Sequence, residues 1–600
     1  MNRAFIWRQL GWAALTGLIS LVVAVIVLGI TPDAISMRWQ SGTADDQTLH
    51  YMVSTAAGDS PFFMPNDRMG FPSTQNLFFA PQYDPISAVV LTVFGFFVKD
   101  GVTALNLYQV LSFFTVGFAS YLFFRALRVS TAVAVVFGLV LALAPFHFQR
   151  VGFGHAFVSN YWAVPLVGIL LLMIAGPSTN PMTSWIDGAR TSRRRLLRRS
   201  VPIVALTLLV SLSLSYYFVF AAILMGGVLI AVAVRSLLAG EGFKPLLWPA
   251  VTTGLLVVFV GLQLAILSLD FNDRYENYFA GRTAAQSEFH GGRITTLLLP
   301  WAGSLLPFLG RWGREYNLQT SVSIYAEPPG TPFLAAGAMV LIIAFIVIRL
   351  IAAPPVHARS RWGAFLDDPR ARLMAASFFW GLLFYAVAAF GVIFAFVISP
   401  ELRAWVRMSI FLIVFALGFL AVLVDIVLTK RLARVLALTV VLAIVLVDQL
   451  LGVRTTVDLQ PTSDTAIRSY VADAERSLDS GCGVVQLPLK GFPETGPIGA
   501  MPDYNEALPY ILATDNTLRW SYGAVRGSKS GDFWEGIETP EDFEAAVEDS
   551  SACAIQVDQL AYVDNPDGWR ALVSSVADAA DPALKSADEG RRFLLFVVSK

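Results

Sequence analysis

The chain has 600 residues, of which 56% are hydrophobic and only 14% are charged, and its mean hydropathy is +0.61. Soluble globular proteins carry about 25% charged and about 45–50% apolar residues. The composition therefore excludes a soluble enzyme, a disordered regulator and a nucleic-acid binder with a basic surface patch. It predicts a polytopic α-helical membrane protein.

The charges are divided unevenly along the chain, although the formal net charge is only −1. From Asp458 to the end there are 24 acidic and 11 basic residues, whereas the first 457 residues hold 20 acidic and 32 basic residues. Such asymmetry indicates two environments for one chain. We predict a transmembrane domain over residues 1–452 and a water-facing C-terminal domain, here called the tail, over residues 453–600.

Eleven segments are apolar and long enough to predict membrane-spanning helices, which need about 20 residues each. They are residues 10–30, 103–124, 131–145, 157–175, two within 201–234, 248–269, 333–348, 374–398, 408–428 and 435–451. Residues 201–234 are divided into two, with a turn near Tyr216, because one helix of that length would reach about 51 Å. Residues 31–102 form a long first outer loop.

Lysine and arginine in short loops mark the cytoplasmic side of a membrane protein. Arg3 and Arg8 precede the first span, and six arginines occupy the loop at 176–200. We predict a bacterial plasma (inner) membrane protein with a cytoplasmic N-terminus, and eleven spans place the tail outside the cytoplasm. Cys482 and Cys553 both lie in the tail, where they form a disulfide in an oxidising compartment or remain two small apolar residues.

Two adjacent carboxylates, Asp45 and Asp46, lie early in the first outer loop. Ionised neighbours repel each other, and burial raises the pKa of at least one of them. A raised pKa is what makes a carboxylate a general base near neutral pH. The alternative is a helix N-cap, since a helix-forming run follows at residues 47–53.

Several short motifs accompany these carboxylates. They are NDRMGFP at 66–72, PFH at 145–147, GH at 154–155, SYY at 215–217, LLLP at 297–300, LR at 402–403 with an arginine at 407, FPE at 492–494 and LRWSYG at 518–523. In these motifs, and in the order of span, long outer loop, further spans and outer tail, the chain resembles the GT-C membrane glycosyltransferases, and more closely a bacterial branch of them.

The resemblance implies an inverting transfer of a sugar from a polyprenyl-phosphate carrier to a glycan, lipid or protein acceptor of the envelope on the outer face. By its position in the topology, the general base is Asp45 or Asp46. A second acidic motif occurs in a later outer loop of some members, and here Asp270 and Asp273 occupy that place. Their oxygen ligands suit Mg²⁺ or Mn²⁺, although the spacing departs from a strict Asp-x-Asp and a solvated loop start is the alternative.

Arginine side chains in the outer loops are the candidates for binding the lipid phosphate. Arg403 and Arg407 are four residues apart, so they are expected to share a helix face, hold the phosphate bidentately and stabilise its departing charge. The alternative is a pair that extends to water or lipid headgroups. The other predicted substrate-binding residues are Arg68, Glu288, Arg293 and His155, the last for a sugar hydroxyl or as a structural residue.

The tail is predicted to be an α/β domain. Its strands are expected at 483–487, 554–563 and 592–598, and its helices at 463–478, 540–548 and 568–579. Residues 492–494 and 519–522 are expected to be loops that face the membrane domain, where they bind the acceptor through aromatic rings or pack against the outer loops.

Two other functions compete with glycosyl transfer: a transporter or flippase of lipid-linked saccharide, and a non-catalytic envelope scaffold. A transporter predicts ionisable residues along a path through the bilayer. The spans carry few, with Asp425 and Asp448 near helix ends, whereas polar residues are concentrated in the outer loops. This distribution favours an enzyme.

Overall fold

The computed structural model describes residues 3–40, 46–60, 64–75, 84–268, 282–306, 308–319, 327–351, 360–527, 533–588 and 592–599. Their architecture is a helical membrane domain that carries a small α/β tail, as the sequence predicts.

The membrane domain is almost entirely helical. Its α-helices are Arg3–Leu28, Pro32–Ile35, Asp46–Asp59, Pro85–Phe97, Gly101–Ala126, Thr131–Ala142, Pro145–Gly152, Ala156–Ser159, Ala163–Ile174, Thr183–Asp187, Ser192–Ser211, Ser215–Leu238, Leu247–Ser268, Ala284–Phe289, Ile294–Leu298, Leu309–Gln319, Phe333–Ile351, Arg361–Leu366, Pro369–Tyr385, Phe390–Val397, Ser409–Val427, Arg431–Val445 and Leu451–Thr456. Short 3-10 helices occupy Lys244–Leu246 and Trp405–Met408, and a π-helical turn occupies Leu446–Leu450.

Eight helices among the described residues are long and apolar enough to cross a membrane. They are Ala4–Leu28, Gly101–Ala126, Thr131–Gly152, Ser215–Leu238, Lys244–Ile266, Phe333–Ile351, Trp405–Val427 and Arg431–Thr456. Residues 201–234 divide into two helices at residues 212–214, as the length argument predicts. The ninth predicted span is broken instead, because the helix ends at Tyr385 and a new one begins at Phe390. Eleven crossings therefore remain a prediction.

Close helix packing in the membrane domain depends on small residues. The helix Arg3–Leu28 lies against Gly101–Ala126. A Cβ atom on Gly17 would come within 2.6 Å of the Phe114 carbonyl oxygen, and one on Gly117 within 2.8 Å of Ser20 Oγ. Helices in lipid gain stability mainly from such close backbone contact.

The tail contains a five-stranded mixed sheet. The strands of the protein are β1 Arg38–Gln40, β2 Gln460–Thr462, β3 Gly483–Leu487, β4 Arg519–Trp520, β5 Ala554–Asp558, β6 Leu584–Lys585 and β7 Phe593–Val597, and the tail sheet has the order β4-β3-β5-β7-β6. The tail helices are Thr465–Ser477, Leu508–Ile511, Pro540–Ser550 and Arg570–Val576, with 3-10 turns at Asn505–Ala507 and Gln559–Tyr562.

The predicted strands and helices of the tail are found, with two differences. β5 ends at Asp558 rather than continuing to 563, because the Asp558 carboxylate accepts a hydrogen bond from the backbone N–H of Leu560 and begins a 3-10 turn. Arg519 and Trp520, expected in a loop, form the edge strand β4 beside β3.

Cys482 and Cys553 are joined by a disulfide, with 5.7 Å between their Cα atoms. Each cysteine directly precedes one of two adjacent parallel strands, β3 and β5, so the strand register brings them together. The sequence allowed either a disulfide or two separate small apolar residues, and the structure has the disulfide.

The first outer loop is built into the tail. β1 pairs antiparallel with β2, and the Arg38 guanidinium binds the Asp464 carboxylate through two hydrogen bonds of 2.6 and 2.7 Å. Phe71 packs in the core of the tail. The tail therefore packs against the start of the first loop, at Arg38, and against its later part, at Phe71.

Candidate functional site

The site is organised around the helix Asp46–Asp59, which is called the first-loop helix below. Asp46 is its first residue, and nearly all of the helix after it is buried. His50 lies one turn further on the same face and is fully buried. Its Nδ1–H donates to the Gly154 carbonyl oxygen at 2.7 Å, which ties the first-loop helix to the loop that carries His155.

His155 is the direct partner of Asp46. Its Nε2 lies 3.1 Å from Asp46 Oδ2. The imidazole is placed by a tight turn between two short helices, in which Gly154 has a φ of +73° and the backbone N–H of His155 donates to the Arg150 carbonyl at 2.8 Å. A left-handed residue at this point favours glycine. The two predicted site residues Asp46 and His155 are thus brought together.

Glu327 extends this contact to two arginines. Its carboxylate accepts hydrogen bonds from Arg407 Nε at 3.0 and 3.1 Å and from Arg407 Nη2. Arg150 Nη1 lies 2.8 Å away from it, and His155 Nδ1 lies 3.6 Å away. Asp46, His155, Glu327, Arg150 and Arg407 form one continuous charged group, called the Glu327 network below.

The electrostatics of the Glu327 network keep both acids ionised. Burial alone would raise the pKa of the Asp46 carboxyl, but the contact with His155, together with the charge of Arg407, lowers it to about 2. Burial likewise opposes ionisation of Glu327, yet Arg150 and Arg407 hold its pKa well below the ordinary value. The raised pKa expected of at least one of Asp45 and Asp46 is not found at Asp46, because cations in the fold outweigh desolvation there, and Asp45 lies outside the described residues.

His50 responds in the opposite direction. Burial lowers its pKa to about 4, and the negative charge of Asp46 offsets only part of that effect. The imidazole is therefore neutral at physiological pH. The neutral ring packs one helical turn from Asp46 and supplies a polar neighbour rather than a positive charge.

A cavity of about 920 Å³ adjoins the network. Glu327 lies in its wall, and so do the predicted residues Glu288 and Arg293, on either side of the turn that follows the helix Ala284–Phe289. Much of the remaining lining is apolar or aromatic: Phe289, Leu299, Pro300, Trp301, Tyr316, Pro328, Pro329, Val387 and Val406. A mostly apolar cavity with a few charged groups at one end is the usual form of a small-molecule site.

Arg403 and Arg407 are close in the chain but do not share a helix face. Arg407 is within the 3-10 helix Trp405–Met408, while Arg403 precedes it in an extended segment. Arg407 binds Glu327 and lies over the Tyr216 ring at 4.6 Å. Arg403 turns instead to Gln286 Oε1 at 2.9 Å and Glu494 at 3.5 Å. The expectation of one helix face is wrong, because the helix Ser409–Val427 begins after both residues.

The tail reaches this region through the two loops expected to face the membrane domain. Glu494 binds Arg282 and Arg403. Tyr504 is buried beside Asp46, and burial together with the negative charge of Asp46 raises the pKa of its hydroxyl. Phe492 and Tyr522 pack edge to face, with 5.7 Å between ring centroids. The backbone N–H of Gly70 in the first loop donates to the Tyr522 carbonyl, and that of Trp520 donates to the Arg68 carbonyl. Both loops therefore pack against loops of the membrane domain, while their binding of the acceptor stays a prediction.

Solved structures resemble the chain in overall arrangement. They include the oligosaccharyltransferase of Archaeoglobus fulgidus in its apo form, with 13% identity, a TM-score of 0.47 and coverage of 94% of this chain and 71% of that one. The arabinofuranosyltransferase AftD from Mycobacteria has 13% identity and a TM-score of 0.44, over 98% of this chain and 41% of that one. No protein-family model and no curated protein match the chain.

Both neighbours are by name sugar-transferring enzymes. The oligosaccharyltransferase has also been solved with an inhibitory peptide and a dolichol-phosphate, at a TM-score of 0.43, and with zinc and sulfate. The function proposed below rests on the side chains of this chain alone.

The other predicted site residues lie elsewhere. Arg68 binds Asp59 at 3.2 Å and lies 4.9 Å above the Tyr510 ring, so it belongs to the interface between the first loop and the tail. Asp45, Asp270 and Asp273 fall outside the described residues. Within the described residues, no three His, Cys, Asp or Glu side chains are grouped to hold a metal ion. We derive no chemical step through Mg²⁺ or Mn²⁺.

Glu327, Arg150, Arg282 and Glu494 were not predicted as site residues. Arg150 follows the PFH motif in an outer loop, and the arginine content of outer loops is the same signal that pointed to Arg403. Glu327 and Glu494 carry no such signal, since isolated acidic residues are common in outer loops. Only the fold shows that each of them faces two guanidinium groups.

Proposed function

We propose that the protein is a membrane glycosyltransferase that moves a sugar from a polyprenyl-phosphate carrier to an envelope acceptor with inversion of the anomeric carbon. One observation carries the proposal: Asp46 and Arg407, about 360 positions apart in sequence, belong to one charged network at the edge of a large cavity. A base and a cation held in one network beside a cavity are what a displacement at a phosphate-activated sugar requires.

Asp46 accepts the proton of the acceptor. The acceptor oxygen attacks the anomeric carbon, the bond from that carbon to the phosphate oxygen breaks, and the electron pair leaves with the phosphate. The proton moves to the Asp46 carboxylate. Because the pKa of Asp46 is about 2, this transfer occurs late, when the attacking oxygen has already become strongly acidic. His155 is a positioning residue, since its hydrogen bond fixes the carboxylate that faces the acceptor.

Arg407 stabilises the departing phosphate. The guanidinium groups of Arg150 and Arg407 both bind Glu327, which lines the cavity, so two cations lie next to this part of the cavity wall. A preorganised cation in a site from which water is excluded stabilises developing negative charge more than one in water. Arg403 and Arg293 extend the positive surface along the cavity and its rim, and the aromatic lining suits an isoprenoid and a sugar ring.

The disulfide supports an extracytoplasmic position for the tail and for the site beneath it. Disulfides persist in oxidising compartments and are rare in the cytosol. In a bacterial plasma membrane with a cytoplasmic N-terminus, the acceptor is then an envelope glycan, lipid or protein. The activated sugar on that side is supplied on a lipid carrier.

Substitution of Asp46 tests the proposal. Membranes containing Asp46→Asn or Asp46→Glu are incubated with a panel of polyprenyl-phosphate pentoses and hexoses, and consumption of each lipid-linked sugar is measured. We expect Asp46→Asn to reduce the rate by about 10²–10⁴-fold, the usual worth of a general base, and Asp46→Glu to retain part of it. Glu544→Gln, an exposed change on the tail helix Pro540–Ser550, is the matched control.

Full activity of Asp46→Asn with every sugar that the wild type consumes eliminates the assigned base. The flippase and the scaffold both predict that no lipid-linked sugar is consumed by the wild type. The same experiment therefore separates glycosyl transfer from both alternatives.

A further inference from the structure

A second arginine pair lies beside the Glu327 network and converges on one carboxylate of the tail. Arg282 donates to Glu494 through Nε at 3.2 Å and through Nη2. Arg403 Nη2 lies 3.5 Å from the same carboxylate. Two guanidinium groups thus converge on one carboxylate.

The two arginines are held in place by groups other than Glu494. Arg282 Nη1 donates to the Glu401 carbonyl at 2.6 Å, and Arg403 Nη1 donates to Gln286 Oε1 at 2.9 Å. Gln286 belongs to the helix Ala284–Phe289, whose other residues Glu288 and Phe289 line the cavity. The pair therefore keeps its orientation at the cavity rim if Glu494 moves away.

The Arg282–Arg403 pair is more accessible than the inner pair. The side chains of Arg282, Arg403 and Glu494 are 11%, 29% and 27% exposed, whereas those of Arg150 and Arg407 are 0% and 7% exposed. Partial exposure makes the contact with Glu494 weak and open to exchange. The inner pair, by contrast, is sealed around Glu327.

Arg282, Arg403 and Arg407 all lie close enough to His290 to change its pKa. Burial lowers the pKa of His290 to about 4, and the charges of Arg403, Arg407 and Arg282 lower it further, against Glu327. A group bound between Arg282 and Arg403 is therefore within electrostatic range of Arg407 as well.

Glu494 belongs to a loop whose backbone is shaped for this contact. Its φ is +56°, a left-handed conformation that a residue with a side chain adopts only where its surroundings hold it. Arg526 of the tail donates to the carbonyl of the preceding residue, Pro493. The tail thus presents one carboxylate to the rim of a membrane-domain cavity.

We propose that Arg282 and Arg403 form the binding site for the phosphate headgroup of the lipid donor, and that Glu494 occupies this site as a resident carboxylate which the phosphate displaces. A phosphate offers more acceptor oxygens than a carboxylate in the same geometry and binds guanidinium groups bidentately. Displacement releases the Glu494 loop of the tail from Arg282 and Arg403. Donor binding therefore changes the contact between the tail and the membrane domain. The identity of the lipid rests on the proposed function.

The binding experiment uses the full-length protein in nanodiscs and two probes, farnesyl phosphate and inorganic phosphate. Loss of the competing charge in Glu494→Gln should tighten binding of the lipid phosphate by about fivefold, the worth of a partly exposed ion pair. Arg282→Gln and Arg403→Gln should each weaken it about tenfold or more. Glu494→Asp, which keeps the charge, and the exposed Glu544→Gln should resemble the wild type.

Three results overturn the inference. The first is unchanged affinity in Glu494→Gln, the second is equal tightening in Glu494→Asp, and the third is unchanged affinity in both arginine variants. Equal affinity for the two probes overturns the assignment of a lipid, because it makes free phosphate the ligand. Weaker binding of inorganic phosphate with the same order of variants supports the lipid headgroup.

The binding readout is independent of catalysis. If Glu494→Gln fails to tighten binding while Asp46→Asn abolishes sugar transfer, the phosphate site is wrong and the proposed function stands. If the variants bind in the expected order while the wild type consumes no lipid-linked sugar, the site stands and the proposed function is wrong.

Discussion

His155 lies between two carboxylates, with its Nε2 3.1 Å from Asp46 Oδ2 and its Nδ1 3.6 Å from Glu327 Oε1. One ring nitrogen of His155 therefore holds Asp46, and the other faces the carboxylate that binds two arginines. A histidine hydrogen-bonded on one side and held electrostatically on the other fixes the orientation of both partners. This relationship connects the first-loop helix, the loop after the third span and the cavity wall.

Loss of His155 should change the pH dependence of the reaction. In the wild type, Asp46 stays ionised down to about pH 2 because His155 offsets its burial. In His155→Gln that charge is lost, burial dominates, and the pKa of Asp46 rises. We expect a rate lower by about 10²-fold at neutral pH and a new loss of activity as pH falls toward 5. The pH–rate profile of lipid-linked sugar consumption measures both effects.

The double variant Asp46→Asn/His155→Gln is the control for a shared role. If His155 acts through Asp46, the double variant is no slower than Asp46→Asn alone. A profile of His155→Gln that keeps the wild-type shape contradicts the positioning role.

Glu327 should be essential for stability as well as for charge balance. Its removal in Glu327→Gln leaves Arg150 and Arg407 buried without a countercharge, since their side chains are 0% and 7% exposed. Breaking such a buried group costs about 3–5 kcal/mol of unfolding free energy. Thermal unfolding of the detergent-purified protein should show a large decrease in Tm. Glu288→Gln, an exposed carboxylate in the same cavity wall, should leave Tm nearly unchanged.

Equal Tm values for Glu327→Gln and Glu288→Gln would show that Arg150 and Arg407 find other partners. The network would then be a local contact rather than part of the core of the domain.

Much of the fold could be predicted from the sequence because hydropathy and helix length follow directly from the bilayer. The division of residues 201–234 and the tail strand at Gly483–Leu487 both came from local patterns. The break between Tyr385 and Phe390 could not, because the apolar run continues through it. There the backbone N–H of Gly292 donates to the Tyr385 carbonyl at 2.7 Å, a contact with a distant segment.

The site could be predicted only in part, for a similar reason. Asp46 could be predicted from its position in the first loop and His155 from the GH motif. Glu327 stands in no motif, and although Glu494 belongs to the FPE motif, only the fold shows that each of these two carboxylates faces two arginines. The pKa of Asp46 illustrates the same limit. Its burial could be expected from the sequence, but the distance to His155 that reverses the effect of burial could not.

The disulfide should contribute substantially to tail stability and should report the side of the membrane. Cys482 and Cys553 are 71 residues apart, and closing a loop of that size is worth about 4 kcal/mol in the chain-entropy model. Cys482→Ser should therefore lower the Tm of the tail transition, and Cys553→Ser should lower it equally. Alkylation of intact cells without reductant should modify neither wild-type cysteine. Two reactive thiols in the wild type would contradict both the bridge and an oxidising compartment for the tail.

A buried carboxyl in the tail should make stability fall as the pH rises from about 4.5 to about 7. Glu506 is 2% exposed, and burial raises its pKa to about 7, although Lys490 Nζ at 3.8 Å acts in the other direction. Since the pKa is higher in the folded state than in the unfolded chain, where it is near 4.5, the folded state binds more protons between these values. The stabilisation is thus complete below about pH 4.5 and is lost as pH rises through 7, on the order of 3 kcal/mol in total.

Glu506→Gln keeps the shape of the side chain and has no charge to lose. Lys490 retains its closer partner Asp503, at 2.8 Å. We expect the Tm of Glu506→Gln to stay flat between pH 5 and 8, while the Tm of the wild type and of the exposed control Glu544→Gln decreases over that range. At pH 8 Glu506→Gln should be the most stable of the three. Parallel curves for all three proteins would mean that Glu506 is already ionised at pH 5 and that Lys490, rather than burial, sets its charge.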